Sequence, residues 1–591
     1  MHCLSFLRPA LLLLGPLLLF PALAFAQEGC TDPLACNFDP VATEDDGSCM
    51  YPGDPDCTGE DYGEWAGQNL SSDLPIIVID TFGDDIPDDP KIHASMGIIY
   101  NGEGELNQIG MPFSYHFGNI GIERRGNSTQ EFDKCSYSVE TWDGNLMDTD
   151  VDFFGMGAEE DWILHAMHID KTQIRFPFTF RLFQQMGHYA SDWQFVELVI
   201  NGDYRGLYLL CERIKRDGDR LDIAKLQPDE VTGDDVTGGY ILKIDWLWDF
   251  EGFESEFQAQ AGNPMTYQYY YPNVEDLQPE QEAYIQDYIS RFETAVFSDD
   301  YTNPEGERYT DLINPTTFTD VLIINELSKN SDGYKLSSFL HKDKDSNGGK
   351  LSAGPIWDFD QSYGSSLVCS CHDPEGWTYL QNQDCEDLES MPLWWQRMMQ
   401  DEVFTNHLKC RWEAFRAGIL SDAGMFEAIE SDTASISAPV ARNFIRWDEV
   451  IGESIWIEPN PIPQTYQAEV EAMQNWLTQR VAWLDTNMPG NCSEDVVGDL
   501  EEQAPLPEVH VYPNPARDAL YVSAEHQVRL RVHSIQGQLL VPWTGNAFAH
   551  AIPLSMWSPG IYMIEVDGEA GRQVKRFMKE SGSPFLPPPC A

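Results

Sequence analysis

The sequence predicts an α+β protein. Its central domain reads strands first and helices later, in two lobes, with a small Cys-rich N-terminal module before it and a C-terminal β-sandwich after it. Three observations predict this. At roughly 150 residues per domain, 591 residues suggest about three or four domains. A hydrophobic content of 42% with 12% aromatics is ample for packed cores and excludes a wholly disordered chain. Along the central region the apolar pattern also changes, from alternation to spacings of three and four. The formal net charge of -61 excludes nucleic acid as a partner, because phosphates would be repelled rather than neutralised. It disfavours an anionic membrane face and suits salty surroundings or cationic partners.

In chain order, residues 1–26 read as a secretory signal. Arg8 supplies the positive start, Ala10 to Phe20 is nearly unbroken apolar, and Ala24-Phe25-Ala26 gives the small-x-small cleavage pattern. Pro16 and Pro21 argue against a membrane anchor, and no later run is long enough to span a bilayer, so no transmembrane segment is expected after signal removal. Losing the signal removes Cys3 from 13 cysteines and leaves an even number, which allows full disulfide pairing in an exported protein.

Residues 27–58 hold Cys30, Cys36, Cys49 and Cys57 with too few apolar residues for a core, so disulfides or metal must replace burial. Asp39, Glu44, Asp45 and Asp46 offer oxygen ligands for Ca²⁺, or are turn residues on a disulfide loop. The central domain is placed at 72–490. Its strand signals are PIIVID from Pro75, FVELVI from Phe195, GLYLL from Gly206 and YILKI from Tyr240, with Asn201-Gly202 as a hairpin turn. Helical spacing appears at 318–329, 393–420 and 466–484. Residues 491–508 read as an acidic linker, 509–580 as short strands of a β-sandwich, and 581–591 as a tail.

The last domain resembles the C-terminal sorting domain of type IX secretion cargo, through Val511-Tyr512-Pro513-Asn514-Pro515, Leu520, Gly537, Gly560-Ile561-Tyr562 and Lys575-Arg576. That resemblance implies passage through the periplasm, contact with the type IX machinery, and a secreted or surface location. The GCTD…DDGSC segment is similar to a repeat of large secreted bacterial surface proteins. Four central blocks resemble the spore coat protein H (CotH) kinase family: GIERRGNS from Gly121 with Lys134 in FDKCSYSVE, LVINGDYRGLYLLCER ending at Arg213, NELSKNSDGY ending at Tyr334, and GPIWDFD from Gly354. The order of all four blocks matches over about 400 residues. The resemblance implies an atypical two-lobed kinase that uses ATP and Mg²⁺.

The residues themselves fit such chemistry. Phosphoryl transfer needs a metal on the phosphates, a cation beside them and a carboxylate near the acceptor hydroxyl. Asp358 and Asp360, at i and i+2, share a face if the segment is extended and can bind Mg²⁺, with Trp357 and Phe359 facing the core. The alternative is an acidic corner on an acidic surface. Asp332 precedes Gly333, where a helix should end; an acid there opposes the helix dipole, which suggests a purpose. The resemblance implies a catalytic or metal-binding role, and we assign it the general-base role; as a plain turn residue it would be unremarkable. Lys134 is the candidate phosphate-contacting cation with Glu212 orienting it, Lys243 competes for that role, and Arg125, Asn127 and Ser128 suit a phosphate-binding turn.

Other signals are weaker. Asp343 to Gly348 opens like a calcium loop but lacks Glu at its twelfth position, so a hairpin turn is favoured. The expected activity is exported protein phosphorylation at Ser or Thr, with the acidic surface suiting a Lys/Arg-rich acceptor. The competing readings are a non-catalytic surface adhesin or coat component on the same fold, and a surface hydrolase using the acidic site for calcium.

Overall fold

The computed structural model describes residues 70–492 and 509–579, apart from 103, 127, 248–249, 260–261, 384–390, 513–515, 517–518, 535–538, 555–556, 558–559 and 569–570, together with 28–29 and 44–45. The chain divides into two compact units, Met1–Glu60 and Asp61–Ala591. In the first, Glu28–Gly29 pairs in parallel with Glu44–Asp45. The expected signal, the rest of the Cys-rich module with its four cysteines, most of the acidic linker and the tail lie outside the described residues.

The second unit begins with β1 (Ile76–Asp80), β2 (Ile92–Ile99), β3 (His116–Arg125), β4 (Ser136–Trp142) and β5 (Asp161–His165). After α1 (Arg175–Gln185) come β6 (Trp193–Ile200) and β7 (Asp203–Glu212). These seven strands form a closed barrel in the order β5-β7-β6-β1-β2-β3-β4. Pairing of β4 with β5 completes the ring, and closure leaves no exposed sheet edge. One side chain in two points inward, so Ile77, Ile79, Ile98, Ile120, Val139 and Leu198 fill the interior. The turn between β6 and β7 has Asn201 at φ 50° and Gly202 at φ 76°, the left-handed pair that Asn-Gly supplies most readily.

A second sheet follows, from β8 (Tyr240–Ile244), β9 (Gly252–Gln258) and β10 (Pro264–Tyr271). After α2 (Pro279–Phe297) and α3 (Pro315–Ser328), β11 (Ser338–Lys342) and β12 (Leu351–Ala353) complete it in the order β9-β10-β8-β11-β12. The suspected calcium loop is the turn joining the paired strands β11 and β12. Then come α4 (Glu402–Arg416), α5 (Asp422–Ser435), α6 (Ser437–Arg446) and α7 (Tyr466–Asn487). The architecture is thus mixed α+β, as expected, with the early strands closed into a barrel.

Helix α3 is the hub. Asn314 caps its first turn by accepting from the Thr316 N–H, with Pro315 at the first helical position. Every residue from Thr317 to Ser328 is buried. Glu326 on α3 pairs with Arg480 on α7 at 3.0 Å, both side chains fully buried. The expected helix over 393–420 breaks in two because Asp401 caps α4, accepting from the Val403 N–H.

The C-terminal module contains β13 (His510–Tyr512), β14 (Ala519–Ser534), β15 (Leu539–Val541), β16 (Ala547–Pro553), β17 (Gly560–Gly568) and β18 (Gly571–Lys579). These strands, read from the sequence as a β-sandwich, are joined by hydrogen bonds into one six-stranded sheet. The long β14 explains this: its first part pairs with β13 and β16, its later part with β15 and β17. Leu520, Val522, Leu530, Ile564 and Phe577 form its core.

Full disulfide pairing does not occur. Cys410 bonds Cys492, whereas Cys135, Cys211 and Cys371 are unpaired and buried. They pack as small apolar residues inside the fold, which protects a thiol without a bridge. Among the described residues no helix is long and apolar enough to cross a membrane.

Candidate active site

A cleft of about 530 Å³ opens between the barrel and the segments that follow α3 and β12. The barrel contributes Arg125 from the end of β3, Lys134 just before β4, and His165 from the end of β5. The opposite wall contributes Asp332, Asp358 and Asp360, and Asp245 enters from the end of β8.

Two local devices aim the carboxylates. Helix α3 ends at Ser328, earlier than the sequence suggested, because Lys329 takes a left-handed conformation with φ 47°. Asp332 therefore sits in the following turn, not at the helix terminus, and does not oppose the helix dipole as expected. Its N–H donates to Asn330 Oδ1 at 3.2 Å, while Asn330 Nδ2 donates to the Asp358 carbonyl at 2.8 Å. Asn330 thus ties the two acidic segments together.

The second device is Asp358 itself, which has φ 65°. The GPIWDFD segment is therefore not a simple extended strand, since a left-handed residue interrupts the alternation. Phe359 enters the core as expected, but Trp357 lines the cleft, where the Arg125 guanidinium lies 5.6 Å from its ring centre. A non-glycine residue in this backbone region carries strain of order 1–3 kcal/mol, and such strain clusters at functional sites. The fold still brings the Asp358 and Asp360 carboxyls into hydrogen-bond contact. Two such groups in contact need a shared proton or a cation between them.

The electrostatics follow from burial. Asp332 is held up at about 7 by burial first, then by the facing charges of Asp358 and Asp245, against the pull of Lys335. Burial and then Asp358 and Asp332 raise Asp360 well above the carboxylate range. Burial and Asp245 raise Asp358, opposed by Arg125. His165 is pushed down to about 3 by burial with Arg125 and Lys134 nearby, so it is a neutral wall.

Lys134 is 1% exposed. Its Nζ donates to the Leu207 carbonyl at 2.8 Å and to Gln173 Oε1 at 3.3 Å, and it makes no ion pair among the described residues. Burial, then Arg205, drives its pKa far down. Arg125 Nη1 is buried without a hydrogen-bond partner. A buried ammonium with no carboxylate and an orphaned guanidinium nitrogen are what a polyanionic ligand would satisfy, and hard carboxylate oxygens suit Mg²⁺. The residues present therefore fit a metal–nucleotide ligand.

Other expectations fare differently. Glu212 does not reach Lys134: its carboxylate receives the Tyr189 hydroxyl at 3.1 Å and the Asp192 N–H at 2.9 Å, and faces Arg220 at 3.5 Å. Burial raises it to about 8. Lys243 is outside the cleft lining and pairs with Asp245 at 3.1 Å. Asn127 lies outside the described residues; Ser128 opens a short turn, Ser128–Glu131. Gly126, at φ 104°, is required there, because a Cβ would stand 2.1 Å from Thr129 Oγ1. Sequence reasoning missed Asp245, whose one signal is an acid directly after the YILKI strand. It also missed Gln361, which lies 3.5 Å from Asp332 and accepts from Trp456 Nε1 at 2.9 Å.

The sequence model of the family described as CotH kinase protein matches residues 122–484, a span containing all these cleft residues. The chain belongs to the CotH kinase family. A second family, described as secretion system C-terminal sorting domain, matches residues 510–580. This CotH protein is therefore cargo of type IX secretion, bound for the cell surface or extracellular space. No curated protein sequence matches the chain.

Proposed function

We propose that this CotH protein is an exported, atypical kinase that transfers the γ-phosphoryl group of ATP to Ser or Thr hydroxyls of secreted or surface proteins. One observation carries the reading: four carboxylates, Asp245, Asp332, Asp358 and Asp360, share a cleft with the buried Lys134 and with Arg125, neither of which makes an ion pair among the described residues. The barrel and the helical part act as the two lobes.

Magnesium held by Asp358 and Asp360 would supply charge neutralisation for the triphosphate. Lys134 and Arg125 bind the phosphate oxygens from the barrel side, where exclusion of water strengthens each contact. Trp246, Leu247 and Trp357 give the cleft an apolar wall suited to the base. Asp332 orients the acceptor hydroxyl and takes its proton as the oxygen bonds to the γ-phosphorus and the bond to the ADP oxygen breaks. Glu212 supports the barrel rim rather than the phosphates. A chain with net charge -61 draws basic acceptor proteins toward the cleft.

The test is incubation of the purified mature protein with labelled ATP, Mg²⁺ and a panel of basic proteins. Label on Ser or Thr is expected. Mg²⁺-independent nucleotide binding, or no transfer to any acceptor, would leave an adhesin on the same fold.

A further inference from the structure

A second cavity of about 300 Å³ is lined in part by Asp133 and Cys135, the chain neighbours of the cleft residue Lys134. It gathers three arginines from distant parts of the chain: Arg124 from β3, Arg205 from β7, and Arg446, the last residue of α6. In a chain with 36 cations against 97 acids, three guanidinium groups around one small cavity need a reason.

Two of them are rigidly built. Both pack on Trp447, with the Arg446 guanidinium 4.2 Å and the Arg205 guanidinium 5.3 Å from its ring centre. Trp447 Nε1 donates to the Arg205 carbonyl at 3.0 Å, and Arg446 Nε donates to the Tyr204 carbonyl at 3.0 Å. Both arginines share a single carboxylate, Asp203, at 3.0 and 3.1 Å. Arg205 also donates to the Asp133 carbonyl, and the exposed Asp133 is itself a lining residue of the cavity. Arg205 Nε is nevertheless buried without a hydrogen-bond partner, and Arg124 makes no ion pair among the described residues. The site thus sets three guanidinium groups against the Asp203 and Asp133 carboxylates and leaves one buried donor, Arg205 Nε, to be satisfied.

Its position decides what it would bind. Phe132, in the cavity wall, lies 4.7 Å ring to ring from His168 and 5.8 Å from Trp456, and both of those line the cleft. Trp447 is 6.2 Å from His168. An aromatic partition thus separates the arginine cavity from the cleft. Arginine forks are matched to planar or tetrahedral oxyanions.

We propose that the Arg124–Arg205–Arg446 cavity holds an anionic side chain of the acceptor polypeptide, a carboxylate or a phosphorylated residue, a few residues from the hydroxyl to be modified. The assignment of this ligand to an acceptor rests on the kinase reading; the anion site itself does not. The acidic field attracts a basic chain over distance, whereas this cavity reads one anionic residue at contact range.

The experiment has two arms on the full mature protein. In the first, calorimetry with O-phosphoserine and with N-acetylglutamate compares the wild type with Arg124→Ala, an exposed position expected to fold normally, and with Arg446→Ala, each checked by thermal melting. Saturable binding of one probe, weakened at least tenfold by Arg124→Ala, supports the cavity and identifies which anion it prefers. In the second, a randomised Ser/Thr peptide library is phosphorylated. Enrichment of acidic or phosphorylated neighbours, lost in Arg124→Ala, supports the acceptor role. Binding without any transfer would retain the anion site and refute the kinase reading. Active transfer with no neighbour preference and no saturable probe binding would overturn this proposal alone.

Discussion

Replacing Lys134 with Met separates a structural lysine from a ligand-binding one. The ammonium is buried, and its two hydrogen bonds run to neutral acceptors, the Leu207 carbonyl and Gln173. Losing hydrogen bonds made by a charged group costs roughly 1.5–3 kcal/mol each, whereas removing an uncompensated buried ion regains a desolvation cost of several kcal/mol. The two nearly cancel, so unfolding of the nucleotide-free protein should shift by no more than about 2 kcal/mol in either direction. Binding is different. One charge-assisted contact to phosphate is worth about 1.5–3 kcal/mol, so Mg·ATP affinity should fall roughly ten- to hundredfold. Calorimetry gives the affinity and urea titration the stability; Lys243→Met, which removes the other candidate lysine and its ion pair with Asp245, is the comparison. Strong destabilisation of Lys134→Met with unchanged nucleotide affinity would refute the reasoning. So would an equal affinity loss in Lys243→Met.

The remaining expectations concern the scaffold. Arg480→Met removes the bonds to Glu326 and to the carbonyls of Pro374 and Gly376, leaving the Glu326 carboxylate buried without its cation. A loss of roughly 3–5 kcal/mol is expected by denaturant unfolding, against little change if the pair were solvated. Glu293, buried and hydrogen-bonded by Tyr267 at 2.8 Å, is held up at about 7, chiefly by burial. A raised carboxyl favours folding while protonated, so its contribution is complete below the unfolded value near 4.5 and is lost as pH rises through about 7. The wild type should lose roughly 3 kcal/mol across that window relative to Glu293→Gln, and parallel pH profiles of the two would contradict this.

How much was legible depended on whether the cause was local. The strand YILKI appears at Tyr240–Ile244 as read, because β-branched and aromatic residues between turns specify a strand from within. The Asn201-Gly202 hairpin was equally local. Closure of the barrel was not legible, since the pairing of β4 with β5 leaves no trace in either strand. Asp332 and Asp358 were found, but their backbone settings were not: the left-handed φ values of Lys329 and Asp358 are not signalled by either residue type. Glu212 was assigned to Lys134 because kinases pair a lysine with a glutamate. Its real neighbour, Arg220, comes from the loop after β7, and no spacing rule predicts that meeting. Asp245 went unnoticed because a single acid after a strand is common in so acidic a chain.

The most direct test of the account compares Asp332→Asn with Asp358→Asn, measuring Mg·ATP affinity and phosphoryl transfer in the same preparations. Asn keeps the size of each side chain and removes its charge. Asp332→Asn should bind Mg·ATP nearly as the wild type does while transfer falls by about 10²–10⁴-fold, the usual contribution of a general base. Asp358→Asn should weaken Mg·ATP binding itself. Loss of affinity in Asp332→Asn with only slowed turnover in Asp358→Asn would contradict both role assignments, and wild-type levels of transfer in both variants would contradict the site.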